Sequence, residues 1–390
     1  MPRKICVVLT ARTSYTKIKP ILAALQAHDA IDLQLVCAAS AVLDRYGNTD
    51  KMVERDGFDI SERVYNVLEG ETLLTSTKAT GLGIVEFAGV FDRLKPDAVL
   101  VMADRYEILS AAVAASYQNI PLIHVQGGEV SGNIDEKVRH AVTKLADIHF
   151  PATKRSAENI IRMGENPDQV FHVGCPSIDI AKEVMENPDP DFDLYKKYGG
   201  VGSFPDLGKG YYIVMQHPVT TEVGNSRAQI METLEAMKDS DRPVLWFWPN
   251  VDAGGDEVSK GIRIFREHND LPHMHFIKNM APKDFLTLLN NSCGIIGNSS
   301  VAIREASYLG VPAINVGSRQ SARERGANVV DAPYERTAIR KLVQSHLGTD
   351  RYPTTLYGDG TASLKIANHI ATTPLTYSKT LTYMLDTPAP

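Results

Sequence analysis

Short apolar runs alternate with stretches of helical period along most of this chain. Residues 5–9, 33–38, 98–102, 122–125 and 149–152 are runs of the first kind; residues 17–28, about 71–94, 106–117 and 136–146 between them repeat with a helical period. Unbroken apolar runs of four to eight residues are what strands buried on both faces of a parallel sheet look like, and the 3.6-residue period marks the crossover helices. The alternation predicts βαβ units and a doubly wound sheet.

The pattern stops over residues 187–210, which hold Pro188, Pro190, five glycines and four aspartates, a composition that predicts a linker. It then resumes with runs at 211–215, 244–248, 274–277, 285–289, 294–296 and 313–316, and helical stretches near 227–237, 257–267 and 302–309. A second Rossmann-like sheet is the simplest reading. The predicted organisation is an N-terminal domain over 1–186, the linker, a C-terminal domain over 211–365, and a tail over 366–390 that can pack back on the first domain. Two such domains leave a cleft where the carboxyl ends of both sheets face each other, the expected ligand site.

Composition narrows the partners. A chain of 390 residues with 43% apolar content can fill two cores, and its net charge of −6 with 41 scattered Lys and Arg argues against nucleic acid. No apolar stretch approaches a bilayer span, so a cytoplasmic protein without a membrane partner is expected. Cys6, Cys37, Cys175 and Cys293 lie far apart without a C-x-x-C pair, which disfavours disulfides and structural zinc.

Polar clusters follow the predicted strand ends. Gly297-Asn298-Ser299-Ser300 closes one run and opens a helix over 301–309, so first-turn N–H groups, the helix dipole and two hydroxyls would face an anion, and Glu305 could accept from ribose hydroxyls. The competing reading is an ordinary serine N-cap. Arg12 leaves the first strand and Lys17 sits at the predicted start of the first helix; either a diphosphate or solvent is their partner. The densest cluster runs from Asp104-Arg105 through His124-Val125-Gln126-Gly127-Gly128-Glu129 to Asp135-Glu136. Carboxylates there can remove a proton beside an N-acetyl-bearing carbon, while Arg12, Lys17 and His217 can neutralise a departing diphosphate. Asp135 can equally cap the following helix. Asn250 and Asp252 end the next strand in the layer of His217, to bind a sugar or form an Asx-turn. P-loop, G-x-G-x-x-G, H-E-x-x-H and G-x-S-x-G signatures are absent, which argues against NTPase, nicotinamide, zincin and serine-hydrolase chemistry.

These residues resemble the hydrolysing UDP-N-acetylglucosamine 2-epimerases of bacterial sialic and legionaminic acid synthesis and the epimerase half of the bifunctional animal enzyme. The resemblance rests on Ala103-Asp104-Arg105-Tyr106, Gly127 to Gly132, Ile134-Asp135-Glu136 with Arg139-His140-Ala141, Thr143-Lys144-Leu145, Gly174 to Ser177, Gln216 to Thr221, Pro249 to Gly254, Gly297 to Ser300 with Arg304-Glu305, and Gly317 to Gln320. It implies a glycosyltransferase-B-like fold, no cofactor or metal, and a homodimer or homotetramer. It also implies elimination of UDP as a base takes the C2 proton, then hydration of a 2-acetamidoglucal. Asp104, Asp135 and His217 match catalytic positions; Arg12, Ser299, Ser300, Glu305 and Arg319 match UDP-binding ones.

Two departures stand out. Gln126 replaces the glutamate of the family's His-x-Glu-Gly-Gly-Glu and cannot titrate, so it hydrogen-bonds only, or Glu129 or Asp135 takes over the acid–base work. Ala103 replaces a glycine, which is tolerable if the backbone does not need positive φ. The expected function is a hydrolysing 2-epimerase. A non-hydrolysing epimerase and a UDP-sugar-dependent glycosyltransferase of the same fold are the alternatives.

Overall fold

The computed structural model describes residues 1–44, 47–68, 72–130, 134–219, 221–249 and 254–382, the side chains of residues 73, 134, 135 and 223 excepted. The chain divides into two compact units, one formed by residues 1–130, 135–179 and 358–382 and the other by 180–357.

The first unit is built on β1 (Arg3–Leu9), β2 (Ile31–Ala38), β3 (Glu62–Val64), β4 (Ala98–Met102), β5 (Leu122–Val125) and β6 (Ile148–Phe150). They form one parallel sheet in the order β3-β2-β1-β4-β5-β6. Side chains alternate across it. Ile5, Val7 and Leu9 of β1 pack with helix Arg12–Gln26 and helix Ala362–Thr372, while Cys6 and Val8 pack with helices Leu73–Leu94 and Tyr106–Tyr117. Burial on both faces explains why these strands read as continuous apolar runs.

Helix Ala362–Thr372 is fixed at both ends. Asp179 accepts from the Ala362 and Ser363 N–H groups at 3.0 and 2.8 Å, and the Arg3 guanidinium donates to the carbonyls of Ile370 and Thr373 at 2.6 and 2.7 Å. A carboxylate on first-turn amides and a cation on last-turn carbonyls both complement the helix dipole. The return to the first unit thus begins before residue 366.

The second unit repeats the design with β7 (Val201–Gly202), β8 (Tyr212–Met215), β9 (Val244–Phe247), β10 (Met274–Ile277), β11 (Gly294–Gly297), β12 (Ala313–Val316) and β13 (Val329–Ala332). The order is β13-β12-β11-β8-β9-β10-β7, parallel except for the two-residue edge strand β7. The stretch whose composition predicts a linker therefore supplies that edge strand and the short helix Leu194–Tyr198. Residues 285–289 lie inside helix Pro282–Asn291. Among the described residues no helix is long and apolar enough to cross a membrane.

Candidate active site

In each sheet the strand order reverses at one place, between β1 and β4 and between β8 and β11. Connections leave to opposite faces there, which opens a crevice at the carboxyl ends of the strands where α/β proteins take their ligands. The polar clusters read from sequence fall at these two places.

In the first unit the chain leaves β4 through Ala103, which has φ 67°, and reaches Asp104. The Asp104 carboxylate is paired with the guanidinium of Arg139 from helix Ile134–Leu145. A second nitrogen of that guanidinium donates to the carbonyl of Glu129 at 2.7 Å. Arg139 is 1% exposed whereas the Asp104 side chain is 21% exposed, so the carboxylate is anchored on a buried cation and is itself partly exposed. Glu129 is buried nearby. Arg105 forms a fork with Glu107 at 2.9 and 3.1 Å.

The alanine at 103 does occupy a left-handed conformation, the case in which glycine is favoured. A left-handed non-glycine residue costs roughly 1–2 kcal/mol, partly offset by the extra flexibility glycine gives the unfolded chain. Ala103→Gly is therefore expected to raise the unfolding free energy by about 0.5–1 kcal/mol in a urea titration. A loss of stability would show that the strain is relieved some other way.

Gln126 is also left-handed, with φ 65°. It is 1% exposed, its Nε2 donates to Cys175 Sγ at 3.0 Å, and that sulfur lies 3.0 Å from Ser177 Oγ. The amide holds the end of β5 to the start of helix Ser177–Glu186. Its Oε1 is buried without a partner among the described residues. Asp135 lies in the first turn of helix Ile134–Leu145, but its side chain is outside the described residues, as are Asn250 and Asp252.

One expectation needs correction. The first helix starts at Arg12, not Lys17. Five residues at 100° each put Lys17 about 140° around the helix from Arg12, so the two cations do not share a face.

In the second unit β8 leads to Gln216 and His217, and β11 to Asn298, Ser299 and Ser300. The two strand ends are stapled. The His217 N–H donates to Asn298 Oδ1 at 2.7 Å, and Asn298 Nδ2 returns a bond to the His217 carbonyl at 2.8 Å. The Asn298 carbonyl in turn accepts from Arg319 Nη1 at 3.1 Å and Gln320 Nε2 at 3.0 Å. Gly297 has φ 131°, and a Cβ there would lie 2.1 Å from the Met215 carbonyl, so only glycine lets β11 turn here beside β8.

Two further expectations are corrected. The helix after Ser299 is not continuous: a single turn, Ser300–Ile303, breaks at Arg304 (φ −99°, ψ −72°) and restarts at Glu305–Leu309. Ser299 caps that turn by accepting from Val301 N–H at 3.4 Å, so one turn contributes little dipole and the hydroxyls, amides and Arg319 carry any anion. His217 is not a cation either. Burial first, and then the charge of Arg319, hold its imidazole down at about 3, leaving it neutral and able to donate or accept a hydrogen bond.

Glu305 becomes the first residue of its own helix, 4% exposed, with Oε2 buried and without a partner among the described residues. A buried, unsatisfied carboxylate oxygen is a costly arrangement unless a ligand donates to it.

Arg139 and Asn298 carry the two clusters, yet neither was assigned a role from the sequence. Arg139 could have been found from its place one helical turn after Asp135 in the sequence.

Two sheets whose parallel strands share the 3-2-1-4-5-6 order, the second with β7 added at one edge, and each with its polar cluster at the reversal point, define an α/β protein of the glycosyltransferase-B-like class. The family model described as UDP-N-acetylglucosamine 2-epimerase matches residues 23–371. The chain belongs to the UDP-N-acetylglucosamine 2-epimerase family. It is 34% identical to the UDP-N,N'-diacetylbacillosamine 2-epimerase (hydrolyzing) of Legionella pneumophila, over 96% of this chain and 97% of that one. It is 33% identical to the polysialic acid biosynthesis protein P7 of Escherichia coli, over 86% of this chain and 84% of that protein. The fold is shared with the UDP-GlcNAc 2-epimerase of Methanocaldococcus jannaschii, solved with UDP-GlcNAc and UDP, at a TM-score of 0.77 and 20% identity, over 94% of this chain and 99% of that one.

Proposed function

We propose that this 2-epimerase is hydrolysing: it converts a UDP-N-acetylamino sugar, either UDP-N-acetylglucosamine or a UDP-2,4-diacetamido-2,4,6-trideoxyhexose, into the free manno-configured sugar and UDP, for sialic or legionaminic acid synthesis. The observation that carries the reading is the 34% identity to the hydrolysing Legionella pneumophila enzyme over nearly the whole of both chains. The anchored, partly exposed carboxylate of Asp104 and the unsatisfied Glu305 support it chemically.

In the proposed reaction a carboxylate of Asp104, Glu129 or Asp135 takes the C2 proton. The C2–H electron pair forms the C1=C2 bond as the C1–O bond to the diphosphate breaks. Water then adds hydroxyl at C1, and a second acid delivers a proton to the opposite face of C2, which inverts that centre. Gln126, being an amide, holds geometry and takes no proton. Arg12 or Lys17, together with Arg105, Ser299, Ser300 and Arg319, meets the diphosphate, Glu305 the ribose, and Asn250 and Asp252 the hexose. Neutral His217 donates to the leaving oxygen. We place this enzyme in the cytoplasm as a homo-oligomer without cofactor.

Incubation with a panel of UDP-N-acetyl sugars in D₂O is expected to give free UDP and a manno sugar carrying deuterium at C2 from one of them. A product still bearing UDP would make the enzyme non-hydrolysing. Turnover without solvent deuterium would reject the elimination.

A further inference from the structure

We propose that His124 and Thr143 are positioning residues for the C2 proton transfer: together they hold the Ala103 carbonyl, and so set the direction of Asp104. The inference rests on Asp104 performing acid–base work as proposed above.

His124 lies on β5 opposite Val101 of β4, so its ring stands beside the exit of β4. The ring is 0% exposed. Its Nε2 is 2.9 Å from the Ala103 carbonyl oxygen, and a carbonyl can only accept, so the proton is on Nε2. Burial keeps the imidazole neutral, leaving Nδ1 a bare acceptor, and the Thr143 hydroxyl lies 3.1 Å from it. Thr143 is also wholly buried. Both ring nitrogens are thus committed, and the tautomer is fixed by its two partners.

What this ring restrains is the left-handed turn at Ala103. The peptide there is held by its own N–H, which donates to the Val125 carbonyl at 3.0 Å, and by His124 on the carbonyl side. Thr143 and Arg139 are four residues apart on helix Ile134–Leu145, hence on one face. The helix is therefore fastened to residue 103 through Thr143 and His124, and to residue 104 through Arg139. The same helix carries Asp135 in its first turn. Gly127 closes over the pair: a Cβ there would lie 2.9 Å from both His124 Nδ1 and Thr143 Oγ1. Because His124 is buried beneath this layer, it acts through Asp104 and not on the substrate.

The test compares Thr143→Val, which keeps shape and removes the hydroxyl, with Thr143→Ser, which restores it. His124→Gln, which keeps a donor for the Ala103 carbonyl, is compared with His124→Leu, which does not. Steady-state UDP release, UDP affinity by calorimetry and thermal midpoints are measured on each. Thr143→Val is expected to lower kcat about tenfold with KM and UDP affinity little changed, since small misplacements of a reacting group are felt in the rate. Thr143→Ser should recover most of that loss, and His124→Gln should retain more kcat than His124→Leu. A Thr143→Val enzyme with wild-type kcat, whatever its melting temperature, would assign the pair to the fold alone and overturn the inference. Wild-type protein that releases no UDP from any sugar of the panel would overturn the reading of the reaction, and this inference with it.

Discussion

Asp104→Asn is expected to reduce UDP release by roughly 10²–10⁴-fold, the usual contribution of one positioned acid or base. UDP affinity should stay within a few-fold, because free UDP offers no C2 proton to this carboxylate and Asp104 is not among the groups proposed for ribose and diphosphate. The substitution keeps the volume of the side chain and removes its charge. That charge also serves the fold, as the partner of a guanidinium that is 1% exposed. Breaking a fully buried pair costs about 3–5 kcal/mol, and the partial exposure of Asp104 reduces that to about 1–3 kcal/mol. The catalytic and structural roles separate in a double variant. Replacing Arg139 by Met as well removes the uncompensated charge, so stability should recover while turnover does not. Recovery of both would make Asp104 a structural partner of Arg139, and activity within tenfold of wild type in the single variant would remove it from the reaction.

Strands were legible where burial on both faces left an unbroken apolar run. The run at 5–9 became β1 (Arg3–Leu9), and those at 122–125, 274–277 and 313–316 became β5, β10 and β12. Strands that lack such a run were not. Glu62–Val64 has a glutamate and an arginine in three residues, and Val201–Gly202 is an edge strand of two, paired only with β10. The boundary at Arg12 was missed because residues 12–14 are polar and, after Tyr15, the aliphatic period begins only at Ile18. The break at Arg304 has no marker in the local sequence, where neither Gly nor Pro occurs.

The site was legible as residue types at strand ends, which is where the topology places ligands. Its states were not. Whether Ala103 is left-handed depends on the path from β4 into the next helix, and alanine itself gives no sign of it. The neutrality of His217 is set by burial and by Arg319, a residue 102 positions away in sequence. The pairing of Asp104 with Arg139 likewise joins residues 35 positions apart.

Acid should unfold this protein more steeply than its carboxylates alone predict. His124 and His217 are both held at about 3 in the folded chain, mainly by burial, against about 6.5 when unfolded. For a histidine with a depressed folded value, the unfolded chain binds a proton that the folded chain refuses. The stability it contributes is complete above about pH 6.5 and is lost as pH falls from there toward 3. Each such ring removes about 1.4 kcal/mol per pH unit once below 6.5, so the two together remove about 4 kcal/mol by pH 5. His149, also lowered by burial, acts in the same direction. Glu165 joins them at lower pH: burial raises it, but hydrogen bonds from His149, Lys144 and Lys379 outweigh that and hold it at about 2, so its contribution is lost below about 4.5. Asp147 and Asp179, raised by burial, oppose the trend as pH approaches the carboxylate range. Against a total stability of about 5–15 kcal/mol, a loss of about 4 is large enough to read directly as a falling urea midpoint between pH 7 and 5. His217→Gln should flatten that slope by about half, since the amide carries no titrating proton. A wild-type midpoint that stays level over this interval would mean that both rings accept protons without unfolding, and that the crevices at the ends of β4 and β8 are wetter than their burial indicates.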